Sequence, residues 1–169
     1  MSQHPSTDAV DLPAALAALL STEEPVVTAL SNAAALIAER LDRINWCGFY
    51  LFDGERLVLG PFIGRPACTL IGLGEGVCGA AAKARSVFRV PDVEQFPGHI
   101  ACDARSRSEI VLPLLLADGR LVGVLDIDSP ELDRFSPSEE AMLSGTVRVL
   151  AGVLEAIEHR TGDLRNLLA

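Results

Sequence analysis

Two Asp-Gly pairs, Asp53-Gly54 and Asp118-Gly119, do more than any other feature to limit what this chain can become. Asp-Gly suits the positive-φ positions of a tight hairpin turn, and each pair here separates two apolar runs. Residues 46–52 and 56–62 flank the first, residues 110–116 and 121–127 the second. Two such hairpins predict an antiparallel sheet. Val87 to Val90 reads as a further strand, and residues 76–85, Gly-led and then Ala-rich, as a short helix. Residues 93–107 carry Pro97-Gly98, charged side chains and little periodicity, which predicts a long loop.

Helical texture brackets this β-rich centre. Residues 11–20 and 25–43 are rich in Ala and Leu, with Ser21 and Thr22 ahead of Glu23 and Glu24 as a capping break. Ser136-Pro137-Ser138-Glu139 supplies an N-cap, a first-turn proline and an acid for a long apolar-periodic helix running to about Arg160. The expected fold is an α+β domain of five or six antiparallel strands. Terminal helices pack on one sheet face and the other is left for a ligand pocket. At 169 residues, one domain suffices.

Charge and composition remove several function classes. A formal charge of −9 does not suit a phosphate-backbone partner, which draws affinity from clustered Lys and Arg, so nucleic acid is set aside. No apolar run reaches the roughly 18 residues of a membrane span, and the polar start, Met1 to Asp8, lacks the order of a signal peptide. A cytoplasmic protein is expected. There, four cysteines suggest metal binding, catalysis or plain burial in preference to a permanent disulfide framework.

The aromatic fraction is only 5%, with one Trp and one Tyr, so both need a reason. Period-two alternation from Asn45 puts Trp46, Gly48 and Tyr50 on one face, Cys47, Phe49 and Leu51 on the other. Gly48 would leave an open slot between the two rings for an apolar or cationic group. Asp126 and Asp128 likewise share a face opposite Leu125 and Ile127, and Glu109 opens a neighbouring strand. Three carboxylates on apolar strands call for a cation, a shared proton or a hydrogen-bond donor among them. The plain alternatives are core aromatics and strand-end acids in water.

The cysteines stand at 47, 68, 78 and 102 with no CxxC pair, a poor match to structural zinc, and none of the three His adjoins the acids in sequence. No metal and no cofactor is expected. Cys102 lies in the polar loop, where exposure with Arg105 and Arg107 nearby favours a thiolate. Cys78 sits near the start of the short helix, where the dipole acts in the same sense. Cys47 faces the helices and reads as a buried small hydrophobe.

Together, Asn45-Trp46-Cys47-Gly48-Phe49-Tyr50, Leu59-Gly60-Pro61-Phe62, Gly76-Val77-Cys78-Gly79, Gly98-His99-Ile100-Ala101-Cys102-Asp103, Ser108-Glu109-Ile110-Val111-Leu112-Pro113 and Gly123-Val124-Leu125-Asp126-Ile127-Asp128-Ser129 closely resemble the free methionine R-sulfoxide reductases, a GAF-type family. The GAF-like part covers about residues 20–158, and Cys47 departs from the small residue often found there. The resemblance implies free methionine R-sulfoxide as substrate, its methyl end held by Trp46 and Tyr50. Glu109, Asp126 and Asp128 would take the ammonium and hydrogen-bond the sulfoxide, Asp128 also serving catalysis. It further implies attack by Cys102, a sulfenic acid, a disulfide to Cys68 or Cys78, and resetting by a thioredoxin-type dithiol. A homodimer is compatible with the pattern. The rival reading is a small-molecule-binding or redox-sensing GAF module without turnover.

Overall fold

Both Asp-Gly pairs turn as their chemistry demands. Gly54 and Gly119 take φ of 107° and 85°, which a residue with a Cβ rarely adopts. Asp53 Oδ1 accepts from the backbone N–H of Glu55 (2.9 Å) and Arg56 (2.8 Å), and Asp118 Oδ1 from that of Arg120 (2.9 Å). The computed structural model describes residues 11–100, 102–162 and 164; Met1 to Asp8 and Ala101, named above, lie outside the described residues.

The first turn joins β1 (Trp46–Phe52) to β2 (Arg56–Gly64), the second β5 (Ser108–Leu115) to β6 (Leu121–Ser129). With β3 (Leu70–Gly72) and β4 (Phe88–Val90) they form one antiparallel sheet in the order β3-β2-β1-β6-β5-β4. β3 escapes sequence reading because three residues are too few to show a period.

Helices α1 (Leu12–Leu19), α2 (Val26–Arg40) and α4 (Pro137–Thr161) cover one face, while α3 (Gly76–Ala84) crosses the other. α4 starts with a capping box in which Ser136 and Glu139 satisfy each other's backbone N–H, and it ends at Gly162 in the left-handed region. α2 differs from expectation. Its N-cap is Pro25, with no side-chain hydrogen bond, and Ser21 Oγ instead accepts from Glu23 N (3.1 Å) in the turn before it. Leu12, Leu16, Leu30 and Ile37 from the helices meet Phe49, Leu112, Leu125 and Ile127 from the strands in a core excluded from water.

A bulge in β2 corrects the expected slot at Gly48. Gly48 pairs with Phe62 while Tyr50, two residues on, pairs with Leu59, so β2 carries one extra residue. The extra residue brings Phe62 against Gly48 so closely that a Cβ there would collide with it and with the Trp46 ring. Gly48 serves backbone approach, and no gap is left.

Candidate active site

Alternation along the strands sorts apolar from polar groups. Leu125 and Ile127 of β6, and Ile110 and Leu112 of β5, point to the helices; Asp126, Asp128, Glu109 and Val111 point to the opposite face. Antiparallel register then sets Glu109 beside Asp128 and Val111 beside Asp126, with Trp46 and Gly48 of β1 opposite Asp128 and Asp126. α3 lays its first turn over this face, bringing Cys78 Sγ to 3.9 Å from Glu109 Oε1. The loop between β4 and β5 closes the site with His99, Cys102, Asp103 and Ser106. The cavity, partly open to solvent, holds about 30 Å³, room for one or two water molecules.

Burial decides the electrostatics. Glu109 and Asp126 are each 6% exposed, so the alternative of acids ending strands in water does not apply to them. Burial pushes Asp126 up to about 6. It also raises Glu109 well above the usual carboxylate range, with the charges of Asp126 and Asp128 adding to the effect. Asp128 is raised by burial and by Asp126, partly offset by a hydrogen bond from Ser106. Among the described residues no Lys or Arg pairs with any of the three. His99 Nε2 lies 4.0 Å from Glu109 Oε2, but burial lowers its pKa and favours the neutral ring. Asp126 Oδ1 is buried without a hydrogen-bond partner.

The cysteines separate into a bonded pair and two free thiols. Cys68 and Cys102 form a disulfide across 34 residues of chain, and Cys47 and Cys78 are free and buried. The dipole expectation for Cys78 is corrected: burial, with Asp126, Glu109 and Asp128 beside it, raises its pKa well above normal and keeps the thiol protonated. A helix end offers only about 0.3–1 kcal/mol against this. Arg105, expected to act on Cys102, is turned onto Asp103 at 2.6 Å and holds that carboxyl far below its usual range.

Tyr50 lines the cavity, and its hydroxyl donates to the Cys68 carbonyl (3.0 Å), tying the aromatic to the disulfide. Trp46 does not reach the cavity wall. It stacks on Tyr50 and Phe62 at 5.9 and 5.3 Å between ring centres and donates its indole N–H to the Arg65 carbonyl (3.1 Å). Reasoning from sequence misses Asn45, whose amide donates to Asp103 Oδ2 (3.2 Å) and Ser106 Oγ (3.0 Å) and so anchors the loop to β1. It also misses His99, Asp103 and Ser106 as lining residues; their loop has no period from which a face could be read. Cys78, Glu109 and Asp126 offer donor atoms all within 4.8 Å of one another, the one group among the described residues able to hold a metal ion. With His99 beside Glu109, sequence separation is no guide to which histidine approaches the acids.

Known proteins are similar to this chain in sequence and in fold. A GAF domain family model matches residues 25–155. The free methionine-R-sulfoxide reductase of Escherichia coli strain K12 is 48% identical over 143 residues, covering 85% of this chain and 86% of that protein. The structure of fRMsr of Staphylococcus aureus in complex with substrate superposes with a TM-score of 0.81 at 43% identity, covering 90% of this chain and 99% of that one. That of the Neisseria meningitidis free methionine-R-sulfoxide reductase, in complex with its substrate, gives a TM-score of 0.84 at 36% identity, with 95% and 96% covered. By fold, by motif and by identity over most of its length, the chain belongs to the GAF-domain family of free methionine-R-sulfoxide reductases.

Proposed function

We propose that this chain reduces free L-methionine R-sulfoxide to methionine in the cytoplasm, using Cys102 as nucleophile, Cys68 as resolving thiol and a thioredoxin-type dithiol as reductant. The observation that carries the reading is the Cys68–Cys102 disulfide at the edge of a cavity walled by three carboxylates with no Lys or Arg partner among the described residues. The family resemblance supports it, since a relative at 48% identity bears that activity in its name.

The chemistry follows from the placement of groups. The substrate ammonium supplies the positive charge that Glu109, Asp126 and Asp128 lack. Tyr50 offers a ring to the methyl end, backed by Trp46. A carboxyl kept protonated by its neighbours, Glu109 or Asp128, donates to the sulfoxide oxygen as the Cys102 thiolate attacks sulfur. The S–O bond breaks, oxygen passes to Cys102 as a sulfenic acid, and methionine leaves. Cys68 then condenses with the sulfenic acid, releasing water and forming the disulfide, which the external dithiol reduces by exchange. Cys78, protonated beside Glu109, is the slower alternative in resolution. In the disulfide state the cavity is too small for an amino acid, so the loop carrying Cys102 opens on reduction.

The test is methionine release with dithiothreitol from three substrates: free methionine R-sulfoxide, its N-acetyl derivative and a sulfoxide-containing peptide. The free form is expected to exceed the other two by more than about tenfold, because neither supplies an ammonium to the buried acids. Equal rates would remove the acids from substrate recognition. No release from any of the three would leave a binding or redox-sensing module.

A further inference from the structure

We propose that Cys78, Glu109 and Asp126, with His99 beside Glu109, form a binding site for a single soft divalent cation of the Zn²⁺ class, seated at the floor of the cavity. The inference deepens the reading of the site given above, but it stands on the geometry of these residues and not on turnover.

The donor set is the first ground. A thiol and two carboxylates are ligand types Zn²⁺ takes, a water filling the fourth position, with bonds of about 2.0–2.3 Å that imply donor-to-donor edges of roughly 3.3–3.7 Å in a tetrahedron. Cys78 Sγ and Glu109 Oε1 stand 3.9 Å apart, His99 Nε2 and Glu109 Oε2 4.0 Å, and the sulfur and two carboxylates all lie within 4.8 Å of one another. Small side-chain rotations close the gaps among the sulfur and the two carboxylates, while His99 meets Glu109 on its other oxygen, beside this three-donor group. The three come from regular elements, Cys78 from the first turn of α3 and Glu109 and Asp126 from β5 and β6, and His99 reaches Glu109 from the loop above them.

The second ground is independent of donor type. Asp126 is 6% exposed, lines the cavity, and leaves Oδ1 with no hydrogen-bond partner. A buried carboxylate oxygen left unpartnered is costly, and an incoming cation removes that cost. The third is size. A cavity of about 30 Å³ admits an ion or a water molecule but not an amino acid, so in the disulfide state the acids are open to a cation while closed to substrate. Because the cation would use the acids that receive the substrate ammonium, the two exclude each other. Cys78 keeps its thiol in the disulfide state, so the cation site outlasts oxidation of Cys68 and Cys102.

The experiment uses the full chain in its disulfide form, free of added thiol, titrated with Co²⁺ as a spectroscopic stand-in for Zn²⁺. Binding of one equivalent with a thiolate-to-cobalt charge-transfer band is expected, discharged by one equivalent of Zn²⁺. Cys78→Ser should abolish the band and Cys47→Ala should keep it. Glu109→Gln and Asp126→Asn should each weaken binding by at least about tenfold, with near-ultraviolet circular dichroism confirming that the variants are folded. A band that survives Cys78→Ser, no saturable binding to the folded wild type, or unchanged affinity in both acid variants would overturn the proposal. Since no sulfoxide enters this experiment, cobalt binding in a chain that fails to release methionine would sink the enzymatic reading and leave the metal site intact.

Discussion

Two regions of this molecule bury charge, and they treat it in opposite ways. At the corner where the sheet meets α4, the Arg134 side chain is 4% exposed, and its guanidinium meets Asp42 Oδ1 and Glu139 Oε1 at 2.6 Å each and the Asp42 carbonyl at 3.0–3.1 Å. On the cavity face, three carboxylates crowd together with no Lys or Arg partner among the described residues, and one oxygen of Asp126 has no partner at all. The buried guanidinium is satisfied; the buried carboxylates are not. Where buried charge holds the fold it is paired by the chain itself, and where it serves a ligand the chain leaves the pairing open. Substitutions in each region test whether the two are as separable as this contrast implies.

The largest effects should fall on turnover alone. Cys102→Ser is expected to lower methionine release by at least about a thousandfold, both in the first turnover and in recycling, because it removes the nucleophile. Cys68→Ser should retain a first-turnover burst and lose thioredoxin-driven recycling. Compared as reduced proteins, in which no disulfide exists, both should unfold in urea at the wild-type midpoint. A full burst from the Cys102→Ser protein would transfer the attack to Cys68 or Cys78.

Arg134→Ala tests the other region. Removing the buried guanidinium and its four hydrogen bonds, whose acid partners keep access to water, should destabilise the protein by about 1–3 kcal/mol, read by urea unfolding. The apparent KM for free methionine sulfoxide should not change below the unfolding transition. A KM change comparable to that of Glu109→Gln would mean that the corner and the cavity are coupled.

Much of the cavity face is legible in the amino-acid sequence, and the part that is not has a physical reason. Turn chemistry at Asp53-Gly54 and Asp118-Gly119 is local, and period-two alternation alone places Asp126 and Asp128 on the face away from Leu125 and Ile127. Long-range packing is not legible. The bulge that presses Phe62 onto Gly48, the amide of Asn45 reaching into the distant loop, and the approach of His99 to Glu109 each depend on elements far apart in the chain. Sequence leaves the partner of Cys102 open between Cys68 and Cys78 because spacing does not carry the Cα geometry a disulfide requires. The sense of the Cys78 shift is a matter of magnitude: the helix dipole is visible in the sequence, while the burial and the acids that outweigh it are not.

The smallest predicted effect distinguishes the two regions most directly, because it couples stability to function with opposite signs. Burial pushes Asp126 up to about 6 in the folded protein from an unperturbed value of 3.8. A carboxyl that binds its proton more tightly when folded contributes most below the unfolded value. Its contribution falls as pH rises from about 4 to 6 and stays at its low level above that. At about 1.4 kcal/mol per unit, the ionised side chain costs the folded protein about 1–3 kcal/mol at pH 8 relative to a neutral isostere. Asp126→Asn should therefore match the wild type at pH 4 and exceed it by that amount at pH 8 in urea unfolding. The same substitution should raise the KM for free methionine sulfoxide by about tenfold, since the ammonium loses a charged partner. A stabilised, weakened enzyme is the expected signature of a carboxylate kept unpaired for a ligand. If the variant is instead less stable than the wild type at pH 8, the Asp126 charge is already satisfied within the chain, and the cavity face does not differ in kind from the Arg134 corner.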